Sequence, residues 1–200
     1  MKFELVNRVP IVEIGGKRCF VDTCYSGAIT PVEPHIQRFF GIEGLNVAGV
    51  QTLKRYAKFD YKNNEIITTD DLIPLVGGVE VPLEVRNSLW LVEMTVGGVK
   101  GMYYIDTAAA YSYVHNLSTD FPSAGIVDEC GWTRGTFNPQ MRHVPCEFEG
   151  HPFDILCGDA KDNPEHVPPE GVIGYDFFNN FIIVVDRVGK KMSFVKDEFV

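Results

Sequence analysis

The sequence has no run of lysine and arginine, no CxxC pair, no HExxH, and no apolar stretch near the roughly 18–20 residues that span a bilayer. Each absence removes a class of function. Acidic residues outnumber basic ones 27 to 18, for a formal net charge of −9. A polyanionic nucleic-acid backbone is therefore not an expected partner, and a membrane is not expected either. The five cysteines (Cys19, Cys24, Cys130, Cys146, Cys157) are odd in number and unpaired in spacing. That argues against a zinc site or a disulfide framework and for reduced thiols packed as small core residues. The five histidines (His35, His115, His143, His151, His166) show no short ligand spacing, so no metal and no cofactor are expected. The start, MKFELVNRVP, lacks a basic segment followed by an apolar run, and a cytoplasmic location is the expectation, although a trimmed leader would leave no trace.

What is present is a strand pattern. Short runs rich in Val, Ile, Phe and Tyr are broken by Gly, Asn, Asp and Pro, as at Val9–Ile14, Lys17–Val21, Lys58–Tyr61, Ile66–Thr69, Leu89–Val96, Gly101–Ile105, Phe181–Asp186 and Lys191–Val195. Gly15-Gly16 and Gly97-Gly98 lie between paired runs as hairpin turns. Only two short helices are expected, over Glu33–Phe40 and Tyr175–Asn180. Composition of this kind supports one sizeable core or two small ones.

The landmarks repeat. VPIVEIGGKRCFVDTCYSGAIT and LWLVEMTVGGVKGMYYIDTAAAYSYV share one order: strand, Gly-Gly turn, strand, Asp-Thr turn. Each is followed by an apolar–apolar–Gly element (Val47-Ala48-Gly49, Val172-Ile173-Gly174) and a closing hairpin that carries an aspartate, Asp60 or Asp186. The stretch from Asp106 to Gly174 is much longer than that from Asp22 to Gly49, which leaves room for an added hairpin over about 120–168 in the second half alone. The boundary is placed near residue 80, where Pro74, Gly77, Gly78 and Pro82 punctuate the chain, giving a smaller unit over 1–80 and a larger one over 81–200.

A strand-ending carboxylate is costly to bury unless its lone pairs are satisfied. A following Thr and small residues supply backbone and hydroxyl partners. A lone Asp-Thr is an ordinary turn cap, whereas two in matched contexts point to a shared architecture. Facing each other, Asp22 and Asp106 would share one proton, one serving as base and the other as acid, and could activate water.

These residues carry a family resemblance. IDTAAAYSYV is similar to the Asp-Thr-Gly-Ala-x-x-Ser turn of retropepsin-like aspartic peptidases, matching at Asp106, Thr107, Ala109 and Ser112. GVIGYDFF resembles the later apolar–apolar–Gly motif of that family, and FVDTCYSGAIT keeps Asp22 and Thr23. The duplicated arrangement resembles the single-chain, pepsin-like plan. The resemblance implies an all-β fold of two unequal retropepsin-like β-barrel lobes, related by a pseudo-twofold, with a peptide or protein substrate in the cleft between them. It implies Asp22 and Asp106 as the catalytic pair and Thr23 and Thr107 as braces between the turns. A flap would come from the larger lobe, around Cys130–Gly135, with Trp132 and Thr133 over the cleft. The family's Gly after Thr is Cys24 in one turn and Ala108 in the other, and Tyr25 is bulkier than the small residue expected next. Two functions follow: an aspartic endopeptidase with an acidic or mildly acidic optimum, or a weakened pseudo-peptidase that binds peptides as an interaction module. A monomer is expected, with a homodimer pairing two Asp106 residues as the alternative.

Other chemistries fit less well. Cys24 or Cys157 could in principle form a Cys–His nucleophile, but Cys157 in DILCGDA reads as a core residue. Gly97-Gly98-Val99-Lys100-Gly101 precedes no helix, which rules out a phosphate loop. Phe39-Phe40 and Phe177-Phe178 read as core packing.

Overall fold

The computed structural model describes residues 1–165 and 167–196. His166, one of the five histidines considered above, lies outside the described residues. The first half contains β1 (Phe3–Val6), β2 (Val9–Ile14), β3 (Lys17–Asp22), β4 (Ile29–Pro31), α1 (Pro34–Phe40), β5 (Asn46–Gly49), β6 (Tyr56–Asp60) and β7 (Glu65–Thr69). Then follow β8 (Val79–Pro82), β9 (Glu84–Arg86), β10 (Leu89–Val96), β11 (Val99–Ile105), β12 (Ser112–Val114), β13 (Ser123–Ile126), β14 (Glu129–Gly131), β15 (Gly135–Phe137), β16 (Gln140–Phe148) and β17 (His151–Asp159). The chain closes with β18 (Val172–Ile173), α2 (Tyr175–Asn180), β19 (Phe181–Asp186) and β20 (Lys191–Lys196).

The hairpins form where two-residue turns take left-handed backbone. Gly15-Gly16 joins β2 to β3 at φ 57° and 75°, and Gly97-Gly98 joins β10 to β11 at 58° and 83°. This turn matches the right-handed twist of paired strands. Asn7-Arg8, Asn87-Ser88 and Glu149-Gly150 make the same kind of turn without a Gly-Gly signal. The two closing hairpins are each held by their aspartate. Asp60 accepts from the Asn63 N–H at 3.1 Å, and Asp186 accepts from the N–H groups of Val188 and Gly189 at 3.1 and 2.9 Å.

The expectation of two unequal barrel lobes related by a pseudo-twofold is overturned. The described residues form a single domain of four sheets with two α-helices and one closed barrel, so the all-β expectation is corrected as well. The barrel is six-stranded, in the order β16-β17-β12-β18-β11-β10, and is closed by pairing of β10 with β16. The first half supplies only an open five-stranded sheet, β1-β2-β3-β5-β4. The halves are then merged by a sheet that belongs to both, β7-β6-β19-β20-β8, in which Phe59 of β6 pairs with Ile183 of β19. The physical reason lies in the closing hairpins. Each presents an apolar edge strand, and pairing these edges satisfies both rows of backbone groups while burying their side chains in one place.

The core follows that merger. Val21, Ala48 and Phe59 from the first half share one buried cluster with Trp90, Ile105, Phe148, Phe178 and Phe194 from the second. Phe59 meets Trp90 and Phe178 with ring centroids 6.1 and 5.6 Å away, and Phe148 meets Phe194 at 4.6 Å. A second cluster, built on Ile11, Phe20, Ile36 and Val47, lies under α1. Phe177 and Phe178 are fully buried, whereas Phe39 and Phe40 are only half-buried, with Phe40 stacked on Phe20. Arg8 crosses between halves to pair with Asp176, whose other oxygen accepts from the Leu156 N–H at 2.8 Å.

Because Phe59 lies where the shared sheet meets the barrel, Phe59→Ala should destabilise the whole fold, by about 3–5 kcal/mol. Urea unfolding followed by tryptophan fluorescence checks this, since Trp90 packs on that ring. Loss of the first half's structure alone, with the Trp90 transition unmoved, would contradict a single shared core.

Candidate active site

The two Asp-Thr turns have matching local geometry. β3 runs parallel to β5 with Asp22 opposite Gly49, and β11 runs parallel to β18 with Ile105 opposite Ile173. Each strand ends in a turn that doubles back over the glycine of its neighbour. Tyr25 C=O accepts from the Val50 N–H at 2.8 Å, and Ala109 C=O accepts from the Tyr175 N–H at 2.9 Å. A Cβ at Gly49 would overlap the Tyr25 carbonyl oxygen, and one at Gly174 would overlap that of Ala109. Both glycines are therefore required by close backbone approach. Ser112 supports the second turn by accepting from the Gly174 N–H at 3.1 Å.

The turns meet through their threonines. Thr23 Oγ1 donates to Ile105 C=O at 2.7 Å and accepts from the Thr107 N–H at 3.1 Å. Thr107 Oγ1 donates to Val21 C=O at 2.6 Å and accepts from the Thr23 N–H at 3.2 Å. Both threonines are fully buried. Each hydroxyl thus uses its donor and an acceptor on the opposite turn, so the four groups satisfy one another without water.

This bracing brings the Asp22 and Asp106 carboxyls close enough for each to shift the acidity of the other. Asp22 Oδ1 accepts from the Cys24 N–H at 2.7 Å, and Asp106 Oδ1 accepts from the Ala108 N–H at 2.8 Å. The two acids are not equivalent. Asp22 is only 3 % exposed, while Asp106 keeps an open edge. Burial, then repulsion from Asp106, hold Asp22 well above the ordinary carboxylate range. Burial pushes Asp106 up to about 6, opposed by the Ala108 N–H, the Cys24 thiol and Asp22. Two carboxyls this close resist ionising together, so above about pH 6 the pair favours sharing one proton.

Neither Cys24 nor Ala108 adopts positive φ, so their Cβ atoms are accommodated without left-handed strain. The Cys24 thiol donates to Ile105 C=O at 3.8 Å and lies within electrostatic range of both aspartates. Burial and the two aspartates push that thiol well up, so it is a neutral donor and not a thiolate nucleophile. Cys157 is wholly buried, and burial pushes its thiol up too. No histidine hydrogen-bonds either thiol among the described residues, and none of their His, Cys, Asp and Glu side chains forms a metal-holding group.

Above the acids lies a cavity of about 280 Å³, lined in part by Asp22, Asp106, Tyr104 and Tyr113. Its cover is the β14–β15 hairpin. Trp132 sits at the hairpin tip, 5.6 Å from the Phe20 ring and 6.2 Å from Tyr25, while Gly131 C=O contacts His35 Nε2 at 3.0 Å. The second half's hairpin therefore closes onto the first half's sheet and α1. Glu165 fastens the tip by accepting from the Thr133 N–H at 2.8 Å, from the Arg134 N–H at 2.9 Å and from Thr133 Oγ1. These bonds pull Glu165 below the usual carboxylate range despite its partial burial.

Sequence reasoning missed three residues here: Glu165, Glu129 and Tyr113. Glu129 and Tyr113 line the cavity at strand positions that no motif marks, and Glu165 reaches the hairpin from a loop far along the chain. No protein-family model matches the chain, and no curated protein is similar to it.

Two measurements probe this geometry. A carboxyl whose folded pKa is raised gives stability that is complete below about pH 4 and is lost as pH rises through about 6. Asp106→Asn should therefore match the native protein near pH 4 and exceed it at neutral pH by about 1–3 kcal/mol, read from urea unfolding at both pH values. Thr107→Val orphans the Val21 carbonyl and the Thr23 N–H, and should cost at least about 2 kcal/mol at either pH.

Proposed function

We propose that the protein is a hydrolase of peptide bonds that works by the chemistry of the aspartic peptidases, with Asp22 and Asp106 as an intramolecular water-activating pair. The observation that carries this reading is the close approach of two carboxyls, one sealed and one with an open edge, held by reciprocal threonine bonds at the floor of a covered cavity. A structural turn needs no second carboxyl, and placing two together opposes folding at neutral pH. Such an arrangement persists where the strain serves chemistry.

The roles follow from the asymmetry. Ionised Asp106, with its open edge, takes a proton from a water as the water oxygen bonds to the scissile carbonyl carbon. Asp22 gives its proton to the carbonyl oxygen, yielding a neutral gem-diol. The proton held on Asp106 then passes to the amide nitrogen, the C–N bond breaks, and Asp22 regains a proton from a gem-diol hydroxyl as the carboxyl product forms. Atoms and charge balance without a metal or cofactor. The Ala108 N–H stabilises Asp106 as the anion, and the hairpin with Trp132 keeps bulk water from the intermediate.

The family resemblance implies an acidic or mildly acidic optimum, but burial shifts the working window upward. The singly protonated pair forms only as pH rises through about 6 and persists until Asp22 ionises. Hydrolysis of a mixed peptide library should accordingly be faster at about pH 7 than at about pH 5. Asp22→Asn and Asp106→Asn should each lower kcat by at least about 10³-fold, and a statine-type inhibitor should block the remaining native activity. Full activity in Asp22→Asn would refute the intramolecular pair and favour two Asp106 residues across a dimer. Peptide binding without any cleavage would favour the alternative of a binding module.

A further inference from the structure

The cavity over the two aspartates has no lysine or arginine among its described lining residues, yet four carboxyls open onto it. Three of these are engaged. Asp22 and Asp106 are close together, and Glu165 is committed to the hairpin tip. Glu129, at the base of that hairpin, differs. Among the described residues its carboxyl takes one hydrogen bond, a 3.3 Å contact from the N–H of its neighbour Cys130. The cation within electrostatic range, Arg8, is tied to Asp176 and lies over the rings of Tyr111 and Tyr175 at 4.9 and 4.3 Å.

A second, independent feature lies beside it. Tyr113 is 4 % exposed, its ring lines the same cavity, and its hydroxyl is buried with no hydrogen-bond partner. The ring is fixed from below by Gly158, where a Cβ would overlap it. Tyr113 and Glu129 lie within electrostatic range of each other. A buried hydroxyl without a partner is costly, and so is a buried carboxylate without a cation. The surrounding wall is aromatic, with Tyr111, Trp132 and Phe137. Aromatic faces beside one carboxylate that lacks a cation suit an organic cation.

We propose that this cavity is a subsite for a lysine or arginine side chain of the substrate peptide, with Glu129 as its charge partner and the aromatic rings of the wall around its stem and cation. The proposal rests on the hydrolase reading, which supplies the peptide. It fits the overall negative charge, which draws basic peptides toward the protein. Burial pushes Glu129 up to about 7, and a cation seated beside it would hold it ionised.

The test uses peptides identical except at one scanned position, which carries lysine or its uncharged counterpart norleucine, or arginine or citrulline. Cleavage by the native protein should favour the basic member at one position by about tenfold to a hundredfold in kcat/KM. In Glu129→Gln that ratio should fall to near one, and in Tyr113→Phe, which keeps the ring and removes a hydroxyl sealed from the cavity, it should persist. Preserved thermal unfolding in both variants guards against misfolding. The same pairs are measured for equilibrium binding to Asp106→Asn. Cleavage with no basic preference, or a preference that survives Glu129→Gln, overturns the subsite and leaves the hydrolase reading intact. Glu129-dependent binding of basic peptides without native cleavage overturns the hydrolase reading and leaves the subsite. Neither cleavage nor binding overturns both.

Discussion

Four hydrogen bonds made by Thr23 and Thr107 across the two turns hold the site together. Each hydroxyl reaches across to the carbonyl that precedes the opposite aspartate and receives the N–H of the opposite threonine. Because both side chains are wholly buried, no water can replace a lost partner, and the cost of breaking one bond is the full cost of an unsatisfied buried group. That constraint fixes the separation of the turns. The close approach of the carboxyls, the raised acidities and the floor of the cavity all follow from it.

The halves then diverge around this shared point. One closes into a six-stranded barrel and carries the long β16–β17 hairpin and the covering hairpin; the other remains an open sheet with α1 packed against it. The cleft is therefore one-sided. Its cover, Glu129, Glu165 and Tyr113 all come from the larger half, while the smaller half offers Asp22, Cys24 and a surface of Phe20 and Tyr25 for Trp132 to rest on. Asp22 is sealed beneath the packing, whereas Asp106 keeps an open edge and takes the Ala108 N–H, which favours the anion on that side.

The sequence alone determined the local pieces. Gly15-Gly16 and Gly97-Gly98 demand left-handed turns, Asp60 and Asp186 close matching hairpins, and the two Asp-Thr elements lie before glycines that tolerate backbone contact. Such features are set by residues a few positions apart, where steric limits and turn chemistry act directly, so their order in the chain is enough to reveal them. The tertiary structure alone decided how the pieces assemble. Pairing of β6 with β19 and closure of the barrel through β10 and β16 join segments far apart in the chain, and neither has a local signature; the strands concerned look like any apolar strand until their edges meet. For that reason a repeat that is plain in the sequence does not become two lobes. The same limit applies to Glu129 and Tyr113, ordinary residues in the sequence, whose surroundings exist only once the hairpin has folded over the cleft and excluded the water that would otherwise satisfy them.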